Sequence, residues 1–193
     1  MNRAVITLLA LATISCGDAI RQGTGSSYLI ITTLQGASGA TPGEFGNTVG
    51  SDVITVVDDV PTIFNDTAQV TFQLAMKDAG SAGTPTAPTS NNFITVNRYR
   101  VRFIRTDGRN TPGVDVPYAF DGAFTVTVAD SASASFTLVR NQAKGEAPLA
   151  NLRTSGHIST IAEITFFGHD QTGREVTVVG QLSVNFGNFG DPE

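Results

Sequence analysis

The chain has 193 residues, of which 40% are apolar and 15% charged, with 20 glycines, one cysteine and no tryptophan. Twelve basic residues against 17 acidic ones give a net charge of −5; this excludes the basic surface a nucleic-acid binder needs to displace phosphate counterions. Valine, isoleucine and threonine number 18, 12 and 25, a stock of β-branched residues suited to pleated, half-buried surfaces rather than to helices.

The chain opens with Arg3 and an apolar run over residues 4–14. Eleven residues are too few to cross a hydrocarbon core, which needs about 20, but they match the apolar part of a signal peptide. The run ends in Thr13-Ile14-Ser15-Cys16-Gly17. A small residue followed by cysteine at this place resembles the lipobox of bacterial lipoproteins, although Thr13 stands where that family prefers leucine. The resemblance implies that residues 1–15 are a signal peptide, that Ser15 precedes the cut and that the Cys16 thiol takes a diacylglycerol. With Gly17 rather than aspartate after the cysteine, it also implies a lipid-anchored protein of the outer membrane. The alternative is ordinary secretion, with the protein free in the periplasm or outside and Cys16 lost with the leader. The cysteine count fits the first reading, because a lone thiol can make no internal disulfide.

Residues 16–26 form a polar, glycine-containing tether, and residues 27–193 are expected to be one domain. Within it, short apolar segments are separated by Gly, Pro, Asn and Asp clusters, the punctuation of an all-β chain. Residues 27–35 (SYLIITTLQ) are apolar on both faces and are expected inside. A loop follows over 36–50, then a short strand over 53–57. Residues 68–77 alternate cleanly, with Val70, Phe72, Leu74 and Met76 on one face. An exposed connection carrying Pro85 and Pro88 leads to the longest strand, 93–106. Strict alternation there places Phe93, Tyr99, Val101 and Phe103 on one face, and Ile94, Val96, Arg98, Arg100, Arg102 and Ile104 on the other.

A long turn-rich loop, 107–121, precedes two strands expected to be neighbours, 120–129 and 133–140. One helical turn, broken by Pro148, fits within 142–152. The last unit is a hairpin with arms 159–167 and 175–186 and a turn over 168–173. With one apolar face per strand, two sheets must stack to hide them. The expected fold is an immunoglobulin-like, two-sheet antiparallel β-sandwich of about eight strands, without the disulfide and core tryptophan of antibody domains.

Three features are candidates for function. Asp107, Asn110, Asp115 and Asp121 supply oxygen ligands in one loop and could form a ligand or calcium site, since calcium takes six to eight oxygens. Their spacing fails the EF-hand template, and aspartate, asparagine and glycine in this pattern also build turns. Arg98, Arg100 and Arg102 form a row on one strand face that could hold carboxylates or phosphates, or simply pair with acids on adjacent strands. Phe186 and Phe189, near the chain end, could be a docking tail for a partner, but packing against an edge of the sandwich is the favoured reading. No catalytic set stands out. His157 and His169 lie twelve positions apart with no zinc-ligand spacing, and there is no G-x-S-x-G elbow or phosphate-binding loop. The expected protein is therefore a non-enzymatic envelope lipoprotein without a confident metal or cofactor, held to the membrane by its lipid and meeting a protein partner. A calcium- or ligand-binding module using the 107–121 loop is the rival, and a hydrolase using an imidazole stands behind both.

Overall fold

The computed structural model describes residues 25–189, so the leader, Ser15, Cys16 and the tether as far as residue 24 lie outside the described residues. In chain order the first strands are β1 (Ser27–Ala37), β2 (Thr48–Asp52), β3 (Thr55–Val57), β4 (Val60–Thr62) and β5 (Asp66–Met76). A small hairpin, β6 (Gly80–Ser81) and β7 (Thr84–Pro85), precedes β8 (Ile94–Ile104). The remainder are β9 (Phe120–Val128), β10 (Ser131–Val139), β11 (His157–Asp170) and β12 (Glu175–Gly187).

Eight of these strands make two stacked sheets, and the result is an all-β sandwich. The smaller sheet has the order β1-β5-β10 and the larger β2-β12-β11-β8-β9. The strand alternation explains the stacking. In β5, Ala68, Val70, Phe72 and Leu74 are buried while Thr67, Gln69 and Gln73 face solvent. In β11 the buried set is Ala162, Ile164 and Phe166. The two apolar faces meet in one core, where the rings of Phe72 and Phe166 pack edge to face at 5.0 Å and those of Phe136 and Phe166 at 5.4 Å. Apolar faces of this kind have no other way to leave water.

Four expectations need correction. The pairing is not wholly antiparallel: β2 runs parallel to β12, with Thr48–Asp52 beside Ser183–Gly187. The segment 27–35 is not enclosed on both sides, because β1 is an edge strand whose outer face is uncovered, leaving Tyr28 55% and Ile30 43% exposed. The strands β9 and β10 follow each other directly but belong to opposite sheets. Finally, the faces of β8 are not those of strict alternation. Ile94, Val96, Tyr99, Val101 and Phe103 are all buried. The register slips between Val96 and Arg98 against both β9 and β11, so Asn97 is an inserted residue and the inward side chains change phase across it. Beyond the insertion Arg98, Arg100 and Arg102 do share the exposed face.

The closing hairpin is fixed by one buried carboxylate. Asp170 Oδ1 accepts the Thr172 N–H at 2.8 Å, the Thr172 hydroxyl at 2.6 Å and the Arg174 N–H at 3.0 Å, the local bonding that favours aspartate in turns. Burial pushes this carboxyl upward, but the bonds from Thr172 and Arg174 outweigh it and hold the group below its usual range. A carboxyl depressed in the folded state stabilises above its unfolded value and loses that contribution as pH falls toward the folded one. Asp170→Asn is therefore expected to cost about 1–3 kcal/mol at neutral pH, and to flatten the loss of stability below about pH 4. Urea unfolding of both proteins across that range checks the expectation.

Between β10 and β11 the chain makes a helical turn at Asn141–Lys144 and a 3-10 turn at Leu149–Arg153, in the segment where one turn was expected. Leu149 and Leu152 enter the core. Phe186 is wholly buried against Phe103, at 5.3 Å, so it is a core residue and not part of a tail. Phe189 remains 39% exposed and lies over Gly50 and Gly187.

A polar groove at the strand bulge

The two outer faces of the sandwich differ in chemistry. On the smaller sheet, β5 presents Thr67, Gln69, Thr71 and Gln73, and β10 opposes them with Thr137, Ser135, Ser133 and Ser131, all uncharged. On the larger sheet, β8 and its neighbours present the arginine row with acids beside it. Arg102 Nη2 lies 2.7 Å from Glu163 Oε1 on β11, and Arg98 Nη1 lies 3.5 Å from Asp121 Oδ1 on β9. Arg100, between them and exposed, has no carboxylate within ion-pairing distance among the described residues. Paired and unpaired guanidinium groups thus alternate along one exposed strand.

The inserted Asn97 opens this face. The shift that accommodates it against β11 falls between Phe167 and Gly168, and a cavity of about 450 Å³ follows, lined by Asn97, Arg98, Phe167, His169, Glu175 and Thr177 among others. A second, shallower depression shares Asn97 and Arg98 and continues over Asp121 and Ala123. Arg98 lines both. Its guanidinium carbon lies 4.0 Å from the centroid of the Phe167 ring, which places a cation over an aromatic face. Together the two depressions offer a positioned cation, an imidazole, two carboxylates and an aromatic ring, all on strand residues.

Gly168 permits this geometry. A Cβ there would meet the Thr95 carbonyl oxygen, with Val96 Cα at 3.0 Å; β8 approaches too closely for any side chain, a use of glycine typical of strand bulges. Gly168→Ala is expected to force β8 and β11 apart at the bulge and to cost about 2–3 kcal/mol. Its urea midpoint, with amide exchange of β8 beside it, checks this.

The structure distributes the candidate loop residues among separate tasks. Asp107 sits between two guanidinium groups, Arg105 and Arg109, and their hydrogen bonds, that of Arg105 foremost, hold its carboxyl well below the usual range. Asn110 Oδ1 accepts the Arg105 N–H at 2.7 Å, and Asp115 Oδ2 accepts the Thr111 N–H at 3.1 Å. These are turn-building bonds, with Gly108 supplying the positive φ of 82°. Asp121 instead lines the shallower depression and pairs with Arg98. Among the described residues, no three His, Cys, Asp or Glu side chains gather as a metal site would require. His157 and His169 lie at opposite ends of β11, about 40 Å apart along an extended strand, so one cleft cannot hold both.

Asn97, Glu175 and the position of His169 in the groove were not legible in the residue pattern. Gly168 inside an apolar strand was the one signal pointing there, since an isolated strand glycine marks a bulge or a close approach.

No family model matches the chain, and a search of curated proteins returned no match.

Proposed function

We propose that the chain is a non-enzymatic lipoprotein of the bacterial cell envelope, anchored to the outer membrane through Cys16, whose sandwich binds a protein partner through the outer face of the larger sheet. The observation behind this reading is the exposed Arg100, without a carboxylate in ion-pairing distance among the described residues, between two acid-paired arginines of which one, Arg98, lines the groove. An exposed guanidinium with no internal acid is available to a partner's carboxylate, and charge complementarity of this kind sets register and partner choice. The lipobox-like residues supply the anchor, with two or three acyl chains needed for stable attachment because one binds only marginally. The tether of residues 16–26 keeps the start of the domain within about 35 Å of the bilayer.

The test has two arms. Arg100→Glu is expected to weaken recovery of the crosslinked complex from native envelopes by about tenfold or more, with the unfolding midpoint unchanged. Cys16→Ser is expected to move the protein from the membrane to the soluble fraction. Undiminished recovery with Arg100→Glu removes the partner assignment, and unchanged membrane partition with Cys16→Ser removes the anchor.

A further inference from the structure

Lys144 and Asp66 are almost completely withdrawn from water, with side chains 1% and 0% exposed. Lys144 Nζ lies 2.7 Å from Asp66 Oδ1. The same oxygen accepts the Gly39 N–H at 2.8 Å. The Ser51 hydroxyl faces the carboxyl group, but neither it nor Asp66 Oδ2 makes a close hydrogen bond. The pair thus joins the start of β5 to the helical turn after β10, 78 positions along the chain, in a place closed to solvent.

We propose that these two side chains become covalently joined: the Lys144 amine condenses with the Asp66 carboxyl group, and the product is an amide crosslink between β5 and the 141–144 turn. The atoms balance without any co-reactant. A proton first passes from the ammonium to the carboxylate, giving an amine and a carboxylic acid, the uncharged pair that a dry site tolerates better than separated ions. Burial acts in the same direction on Asp66, pushing its carboxyl up against the opposing pull of Lys144. The proton arrives on Oδ1, the oxygen to which Nζ is hydrogen-bonded. The Nζ lone pair then attacks Cγ, the Nζ–Cγ bond forms, and the electron pair of the Cγ–Oδ2 carbonyl bond moves onto Oδ2. The Ser51 hydroxyl, which faces the carboxyl group, stabilises the negative charge that oxygen acquires. Oδ1 departs as water, carrying the acid proton and one proton from nitrogen, and the Oδ2 carbonyl re-forms. Nothing is oxidised or reduced.

Two conditions make the step feasible here. A hydrogen-bonded contact at 2.7 Å to Oδ1 keeps Nζ within about 4 Å of Cγ, near the separation from which intramolecular reactions gain most over their bimolecular counterparts. Enclosure keeps out the bulk water that would drive the amide back toward hydrolysis. A domain whose described residues contain no cysteine would in this way obtain a covalent tie across its fold.

Peptide mapping of the full chain, purified folded and then denatured for trypsin, decides the matter. Residues 22–77 and 141–153 lie between successive tryptic sites, apart from Lys144 itself. The expected product is one branched species joining these two segments, lighter than their sum by one water and uncut after Lys144. Lys144→Arg is expected to release segment 22–77 at the mass of its sequence. Recovery of free segment 22–77 from the bulk of the folded wild-type protein, with normal cleavage after Lys144, overturns the proposal.

Discussion

Lys144→Ala is expected to be among the most damaging single substitutions in the domain, costing about 3–5 kcal/mol because it removes the tie to Lys144 and leaves the Asp66 carboxyl group buried without its partner. Asp66 has no route to solvent, and of its two oxygens one is held only by Lys144 and the Gly39 N–H while the other makes no close bond. The loss should appear as a lowered urea midpoint. Asp66→Leu combined with Lys144→Met should recover part of it, because a well-packed apolar pair removes the stranded charge altogether. A Lys144→Ala protein as stable as the wild type would mean that the carboxylate reaches water by some rearrangement of the 141–153 segment.

Phe166→Ala should cost a comparable amount, about 3–5 kcal/mol, by opening a cavity between the two sheets. The ring is 1% exposed and touches aromatic neighbours from both layers: Phe72 and Phe136 on the smaller sheet and Phe124 on the larger. Truncation removes the transfer free energy of the ring and also its edge-to-face contacts, which are worth about 0.5–1.5 kcal/mol per pair beyond burial. Val179→Ala, at a position 51% exposed on β12, provides the contrast and should stay within about 0.5 kcal/mol. Thermal or urea unfolding of the three proteins side by side measures both effects.

How far the sequence disclosed this arrangement varied with the distance over which each feature is encoded. In β5 the period of two is uninterrupted, and Val70, Phe72 and Leu74 are buried as their spacing predicts. The β11–β12 hairpin is local as well, and its turn is marked by Asp170 and Gly173. The faces of β8 were misread because a single inserted residue, Asn97, reverses every side chain beyond it, and nothing in a run of mixed Ile, Val, Tyr and Arg reports an insertion. β2 was hidden for another reason. It is five residues long and finds its partner β12 some 135 positions later, so its own pattern is too brief to read. The exposed arginines were visible, but which of them lack acids depends on Asp121 and Glu163 arriving from adjacent strands. The Lys144–Asp66 pair is the extreme case: two ordinary charged residues, far apart in the chain, whose burial only the folded layers create.

The reading of the molecule rests on contact with a partner through one face and not the other. Photo-reactive residues placed separately at Asn97, beside the groove, and at Gln73, on the uncharged face of β5, test it in native envelopes. A discrete crosslinked product from position 97, abolished by Arg100→Glu and absent from position 73, is the predicted result. Equal products from both positions, or a product from position 73 alone, would contradict it.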